Sequence, residues 1–352
     1  MEQTSHESHL STCATREIIP RNDMKTPPEE RTRNSSGRLV KSRTPSGLPL
    51  PAIEIKTILV PLDFSRGSME ALDYALPLAK KFSATVHLVH VTRPDEASEV
   101  PGAGHLMRET AASLELLRGQ LSETHRKRLS PFWPENSHVR TGQPFQEICQ
   151  LAREIHAGLI VIGTRGQSGL KRILLGSTAE RVVRFATCPV LVVRRRGRKQ
   201  PKEFGLHKLL APIDFSQCSM SGAIYAALFA KTFDAKLSLL HVLAGVMATS
   251  TEKACEPLKK KDAIDLENAR LDMEAFTQLD FLGNVNFETE IRTGYAVDEI
   301  CRDADESDVD LVVIATHGRT GFNRMLLGSV AEHVVRYAEC PVMVVPSRFS
   351  RY

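Results

Sequence analysis

An internal repeat is the feature that most constrains this sequence. Residues 55–91 return as residues 206–242, so that Asp63 corresponds to Asp214. Residues 163–193 return as residues 315–345, with 19 of 31 positions identical. Self-similarity over such long segments indicates two copies of one domain, and a chain of 352 residues has a length suited to two domains rather than one core.

Each copy alternates short apolar runs with longer amphipathic segments. The runs TILVPL, TVHLVHV, LIVIG and PVLVV have the length and branched composition of parallel strands buried on both faces. A further strand is predicted at HVRT, which is echoed by FETEIRT in the second copy. Helical apolar spacing between the runs completes a β-α-β succession. We therefore predict an α/β protein of two tandem doubly wound, Rossmann-like domains, with ligand crevices at the carboxyl ends of the strands.

The repeat divides the chain into four predicted parts. Residues 1–53 are rich in Ser, Thr, Pro, Arg and Glu without an apolar period, which predicts a disordered tail. The first domain is predicted over 54–195 and the second over 205–347. Residues 196–204 are basic and are interpreted as a solvated linker, in preference to a contact with nucleic acid or anionic lipid.

Composition excludes several classes of protein. No stretch approaches the roughly 18 uncharged apolar residues that a membrane span requires. The seven cysteines include no C-x-x-C pair, which argues against a zinc site and a disulfide framework. The first residues resemble neither a secretory nor a transit leader, so we expect a cytoplasmic protein. A net charge of +4 does not favour nucleic acid as a partner.

A glycine-rich loop follows the strand LIVIG in the first copy. It has the frame G-x2-G-x9-G-S, formed by Gly163, Gly166, Gly176 and Ser177, and leads into a predicted helix. Glycines allow backbone to approach an anion, and amides at a helix start favour phosphate oxygens. Ser177 is expected to cap that helix. The alternative is that these residues form only turns and a helix cap.

The second copy keeps most of this frame. Gly318, Gly328 and Ser329 correspond to the last three members, whereas Ala315 replaces the first glycine. If the first position requires a positive φ, alanine there costs about 1 to 2 kcal/mol, and its Cβ also intrudes where backbone approaches a ligand. Such a cost would weaken nucleotide binding about five- to thirtyfold. The sequence then predicts one intact and one weakened phosphate loop.

Acidic residues follow the first strand of each copy. Asp63 in VPLDFS and Asp214 in APIDFS are placed where a carboxylate can accept hydrogen bonds from ribose or adenine. The alternative for both is a helix cap, a role that we assign instead to Ser65 and Ser216.

Histidines and cysteines that recur in the repeat receive a structural interpretation. His90 and His241 lie within apolar strands, which favours packed and hydrogen-bonded rings over catalysis. Four cysteines recur in pairs, and burial as small apolar side chains is favoured for them over redox chemistry. The pairs are Cys149 with Cys301 and Cys188 with Cys340.

Together these motifs resemble the universal stress protein family in its tandem form. The resemblance rests on VPxDFS, the LxHV strand, RTGQPFQEI, the glycine loop and CPVLVV, and it covers both predicted domains. It implies a parallel sheet of order 3-2-1-4-5 in each domain and binding of an adenine nucleotide. It also implies pairing of domains through their last strands, here within one chain, with a homodimer as a further form of assembly.

The resemblance carries the family's binding site to specific residues. In the first copy these are Pro61, Asp63, the backbone of Val91, Ile162, Gly163, Gly166, Gly176, Ser177 and Thr178. In the second copy they are Pro212, Asp214, Val242, Ile314, Gly318, Gly328 and Ser329. The implied ligand is ATP, accompanied by Mg²⁺.

The residues favour a nucleotide-dependent regulatory binding protein with an unidentified protein partner. GTRGQSGL is not a Walker loop, because no G-K-[ST] follows it. No metal-holding acid and nucleophile-positioning group stand at recognisable spacing, as phosphoryl transfer would require. A slow ATPase is the alternative, and a nucleotide-free interaction scaffold is a third hypothesis.

Overall fold

The structure of the protein is a computed structural model. It describes residues 16–19, 54–92, 119, 121–130, 135–164, 175–194, 205–244, 255–317 and 327–346. The predicted linker 196–204 and two predicted site glycines, Gly166 and Gly318, lie outside these residues.

The described residues form one sheet of eleven strands. The strands are β1 (Arg16–Ile19), β2 (Thr57–Pro61), β3 (Thr85–Thr92), β4 (Ser137–Thr141), β5 (Leu159–Gly163), β6 (Val190–Val193), β7 (Lys208–Pro212), β8 (Lys236–Ala244), β9 (Phe287–Gly294), β10 (Leu311–Ala315) and β11 (Val342–Val345). The helices are α1 (Arg66–Phe82), α2 (Glu123–Leu129), α3 (Pro144–Glu154), α4 (Ser177–Phe185), α5 (Gln217–Phe233), α6 (Cys255–Thr277), α7 (Ala296–Glu306) and α8 (Ser329–Tyr337), with a 3₁₀ turn at Asp280–Leu282.

The strand order confirms the expected topology in both domains. Across the sheet the order is β1-β9-β8-β7-β10-β11-β6-β5-β2-β3-β4. Within each domain this is the order 3-2-1-4-5, with every neighbouring pair parallel. The last strands β6 and β11 pair antiparallel, with Val192 opposite Val342. The two domains therefore share one sheet, paired through their last strands as expected.

Apolar side chains fill both faces of the sheet, because its central strands are buried on either side. One core cluster contains residues of α1 and α5, and the other contains residues of α3, α4, α7 and α8. The first cluster crosses the domain boundary, where the rings of Phe82 and Phe229 lie 5.0 Å apart. Helix α1 runs through Pro77 and ends where Ser83 adopts the left-handed conformation. No helix within the described ranges is long and apolar enough to cross a membrane.

The N-terminal segment differs from the predicted disordered tail at four residues. Arg16–Ile19 form β1, which pairs antiparallel with β9 at the outer edge of the second domain. Ile18 lies opposite Glu290 in this register. An unpaired edge strand presents free backbone groups, and β1 satisfies those of β9. Four residues in a polar tail are too few to show a strand period, which is why the sequence did not indicate them.

Candidate functional site

The predicted site residues lie along one edge of the sheet. Strands β2 and β5 are parallel neighbours, so their carboxyl ends, Pro61 and Gly163, lie at the same edge. Strand order reverses between them, which is where doubly wound sheets leave a crevice. In the second domain the equivalent ends are Pro212 and Ala315, on β7 and β10.

The turn after β2 holds the predicted carboxylate. Asp63 Oδ1 accepts a hydrogen bond from the Ser65 amide at 3.0 Å. Ser65 is the N-cap of α1, and its hydroxyl oxygen accepts the Ser68 amide. This confirms the capping role assigned to Ser65. Asp63 is half-buried and is positioned at the crevice by the backbone of the turn.

The second domain repeats this turn. Asp214 Oδ1 accepts the amide of Ser216 at 3.1 Å and also its hydroxyl at 2.6 Å. Ser216 in turn caps α5 through the Ser219 amide, so its predicted role is confirmed as well. The Cys218 thiol stands near this carboxylate, and its pKa is raised by burial and, to a smaller extent, by the charge of Asp214.

A strained residue follows each of these strands, and sequence reasoning missed it. Phe64 has φ 59° and Phe215 has φ 61°, in the left-handed region that glycine or asparagine usually occupies. Such a conformation costs about 1 to 2 kcal/mol and clusters at functional sites. Its recurrence in both domains marks the turn as a shared feature of the crevice. The repeated DFS sequence was the available signal.

A histidine on the neighbouring strand hydrogen-bonds to each of these turns. His90 Nδ1 hydrogen-bonds the Leu62 carbonyl oxygen, and its ring lies 5.2 Å from that of Phe64. His241 Nδ1 makes the equivalent bond to the Ile213 carbonyl oxygen, and the distance is 2.7 Å in both domains. Both rings are packed and hydrogen-bonded, as expected. They hold the turn that carries the aspartate.

The base of the glycine loop is closed by backbone hydrogen bonds. The Gly176 amide donates to the Thr164 carbonyl at 2.8 Å, and Gly328 donates to Thr316 at 2.7 Å. A Cβ at Gly328 would lie 2.9 Å from that same carbonyl oxygen, so a side chain there would displace the helix start. The loop is therefore pinned where the strand ends and the helix begins.

The starts of α4 and α8 carry no side-chain cap. The N-cap residues are Gly176 and Gly328, and neither helix has a capping hydrogen bond from a side chain. The expectation that Ser177 caps α4 is therefore wrong, because it is the first residue inside the helix. Thr178 is the second residue of α4. Ser329 is the first residue of α8 and corresponds to Ser177. Within the described residues, no side chain caps either helix, and a helix start of this kind favours an anion.

The first loop glycine serves packing rather than a special backbone angle. Among the described glycines only Gly142 and Gly294 have positive φ. A Cβ on Gly163 would lie 2.4 Å from the Gly67 carbonyl oxygen, so α1 passes directly over this strand end. Glycine is required here by the approach of a helix.

The structure removes the conformational reason for the predicted weakness of the second loop. Ala315 is absent from the positive-φ residues of the described chain, so the conformational cost does not arise. A Cβ placed on Gly222 of α5 would lie 3.8 Å from the Ala315 methyl, which therefore faces the helix. The repeat has Ala71 where α5 has Gly222.

The remaining predicted residues also line this edge. Ile162 and Ile314 are buried immediately before the strand ends. Val91 and Val242 are half-buried near the ends of β3 and β8, opposite Arg140 and Arg292 on the outer strands. Within the described part of the chain, no group of three or more His, Cys, Asp or Glu side chains could hold a metal ion.

Comparison with known proteins gives a consistent result. A sequence model of the universal stress protein family matches residues 54–194 and again residues 205–346. A universal stress protein of Methanocaldococcus jannaschii is 39% identical over 142 residues, covering 40% of this chain and 82% of the relative. One of Mycolicibacterium smegmatis is 27% identical over 312 residues, covering 83% and 97%. The crystal structure of a universal stress protein from Archaeoglobus fulgidus aligns with a TM-score of 0.56 at 20% identity, covering 83% and 98%, which shows the two-domain fold.

Proposed function

The chain belongs to the universal stress protein family, and from that premise we propose that it binds ATP and acts as a nucleotide-dependent regulatory protein. The observation that carries the proposal is the uncapped start of α4 and α8 at the carboxyl edge of the sheet. Four amides at a helix start need acceptors, and the helix dipole favours a negative charge there. Phosphate oxygens meet both requirements.

The turns after β2 and β7 supply the acceptors for the other end of the nucleotide. The carboxylates of Asp63 and Asp214 are held by the backbone amides of Ser65 and Ser216. A carboxylate that is fixed in this way loses little rotamer entropy when a ribose hydroxyl or adenine amine donates to it. The backbone of Val91 and Val242, at the next strand ends, completes the proposed adenosine subsite.

Magnesium enters the proposal as a companion of the nucleotide. The described residues include no cluster of three metal-ligating side chains. Mg²⁺ keeps several waters and is commonly held by phosphates with one or two carboxylates. The proposed Mg²⁺ would be held mainly by phosphate oxygens and water, and would neutralise part of the phosphate charge.

Regulation is the proposed consequence of binding. Both crevices lie in a single sheet that runs through the β6 and β11 pairing, so a nucleotide bound in either domain stabilises the shared assembly by mass action. We propose that this changes the affinity for a protein partner or for a second copy of the chain, in the cytoplasm.

A charge placed at the helix start tests the proposal while leaving the fold intact. Ser177→Asp and Ser329→Asp put a carboxylate at the first position of α4 or α8, where it favours the helix by about 0.3 to 1 kcal/mol but repels phosphate. Each variant should lose one of two bound ATP molecules in native mass spectrometry, and the double variant both. Ser177→Ala is the matched control and should retain ATP.

Two outcomes would overturn the proposal. Wild-type protein that neither carries nor binds ATP would favour the scaffold hypothesis. Equal ATP binding by wild type and by the double aspartate variant would place the nucleotide elsewhere. Phosphate release with Mg²⁺ and ATP should be measured on the same samples, because steady turnover that is lost in the aspartate variants would favour the slow ATPase.

A further inference from the structure

A cavity that is open to solvent lies between the two domains, at the opposite edge of the sheet from the crevices. Its volume is about 610 Å³. Its lining comprises Pro77, Lys80 and Lys81 from the last turns of α1, Leu206 and His207 ahead of β7, and Phe233 at the end of α5. Ligand sites of small molecules fall in this size range and favour domain interfaces. Because β7 begins at Lys208, the cavity borders the amino ends of the strands.

The lining combines an apolar wall with a basic rim. Leu206 is buried, Pro77 and Phe233 are half-buried, and the side chains of Lys80 and Lys81 are exposed. The Lys81 ammonium lies 5.7 Å from the centre of the Phe233 ring, so it sits directly above the apolar wall. Long lysine stems can cover apolar surface while their charge stays in water. None of the lining residues carries a carboxylate.

The pseudo-twofold relation of the domains provides an internal comparison. The repeat places Leu228 where Pro77 lines the cavity, and Thr232 where Lys81 does. It also places Glu54 where the cavity has Gly205, and Glu54 pairs with Lys56. Lys231 and Lys56 correspond to Lys80 and His207, so the related position also has two lysines, but it carries a carboxylate that the cavity lining lacks. The adjacent pair Lys80 and Lys81 is not repeated there.

We propose that this interdomain cavity binds an amphipathic organic anion, whose anionic head pairs with Lys80 and Lys81 and whose apolar body packs against Pro77, Leu206 and Phe233. The head is a carboxylate or a phosphate monoester, because an exposed ammonium group acts as a point charge that can pair with either. The body is acyl or aromatic. Residues of both domains contact such a ligand, so it binds best to the docked arrangement and stabilises it.

Calorimetric titration of the full chain with ten-carbon probes tests the charge and the site. Decanoate and decyl phosphate differ in their anionic head, decanol lacks a charge, and decyltrimethylammonium reverses it. We expect saturable binding of one anionic probe per chain and weaker binding of decanol. The preference between the two anions identifies the head. Binding of the cationic probe as tight as that of the anions would overturn the proposal, because it would indicate nonspecific detergent adsorption.

Variants at the cavity and at its pseudo-symmetric position locate the binding. The double variant Lys80→Thr, Lys81→Thr should weaken the preferred anion by ~10-fold. Lys231→Thr, at the position that corresponds to Lys80, is the matched control and should bind as wild type. Gly205→Glu introduces the carboxylate found in the other domain; its Cβ meets only the movable end of His207, so the fold should persist while binding is lost.

Competition with ATP separates this site from the nucleotide crevices. Saturating ATP should leave decanoate affinity unchanged, and the Ser177→Asp, Ser329→Asp variant should bind decanoate normally. Unchanged affinity in the double lysine variant, or displacement of decanoate by ATP, would contradict the assignment. Neither result depends on whether the regulatory function proposed above is correct.

Discussion

The two domains share a strand order and a loop frame, yet they finish their outer edges differently. In the second domain Arg292 is 3% exposed and donates to Asp303 at 2.7 Å and to Glu290, both also buried. In the first domain the equivalent Arg140 is partly exposed and pairs with the exposed Glu154. Strand β1 covers the edge at β9, whereas among the described residues β4 has only β3 as a strand neighbour. The same backbone frame therefore holds a buried arginine in one domain and a partly exposed one in the other.

Removal of each arginine should give the largest difference between the domains. Arg292→Met removes the buried guanidinium that donates to Glu290 and Asp303, and breaking such a buried pair costs about 3 to 5 kcal/mol of unfolding free energy. Arg140→Met removes an exposed pair that contributes at most about 1 kcal/mol. Urea denaturation of both variants beside wild type measures the two costs.

The result also tests whether β1 is responsible for the burial. Deletion of residues 1–20 should expose the Arg292 cluster to water and so reduce the cost of Arg292→Met. An equal cost with and without residues 1–20 would show that the cluster is buried by the domain alone.

The strand ends under the first and fifth helices form a second contrast. Gly163→Ala places a Cβ 2.4 Å from the Gly67 carbonyl oxygen, and backbone on both sides leaves no side chain that can move aside. Overpacking of this kind costs about 1 to 3 kcal/mol. Ala315→Gly removes one methyl and should cost about 1 kcal/mol or less. Equal thermal stability of Gly163→Ala and wild type would show that α1 moves away freely.

The repeat was sufficient to predict the fold, because the same succession of apolar runs and helical segments occurs in both copies. Apolar runs such as LIVIG predict strands that are buried on both faces of a sheet. Because crossovers between parallel strands are right-handed, the order of these runs along the chain allows few topologies. The predicted order 3-2-1-4-5 and the pairing through the last strands are both found in the structure. Local pattern and global topology agree here.

Features that depend on distant chain segments escaped prediction. Arg292 reads as a polar strand residue, and β1, the strand that pairs with β9 beside it, lies more than 270 residues earlier in the sequence. The left-handed φ of Phe64 is unusual for an aromatic residue, so local propensity argues against it. Gly163 has no positive φ, and the close approach that requires glycine there comes from Gly67, in another element.

Acid should weaken the outer edge of the first domain selectively. His87 and His138 lie on β3 and β4 with Nδ1 and Nε2 3.0 Å apart, where the second domain has Ser238 and Glu290. Burial, followed by the charges of His87 and Arg140, lowers the pKa of His138 from 6.5 to about 4. The folded state therefore resists protonation that the unfolded state accepts.

The sign of the pH effect follows from that pKa. Above pH 6.5 neither state binds the proton, and as the pH falls from 6.5 toward 4 stability is lost. Because His138 is only half-buried, solvent screening reduces the loss to about 1 kcal/mol. Denaturation at pH 7.5 and pH 5 should show this loss in wild type and a smaller one in His138→Gln. An identical loss in both proteins would assign the acid sensitivity to other groups.

The smallest expected effect concerns the loop residue that distinguishes the two crevices. Ala315 has no positive φ, and its methyl faces Gly222 rather than the proposed ligand. If both domains bind ATP as proposed, Ala315→Gly should change the affinity of the second domain by less than about twofold. Measurement in the Ser177→Asp background isolates that domain. A gain of fivefold or more would mean that the methyl does reach the nucleotide, and the second crevice would then be the weaker site that its sequence first suggested.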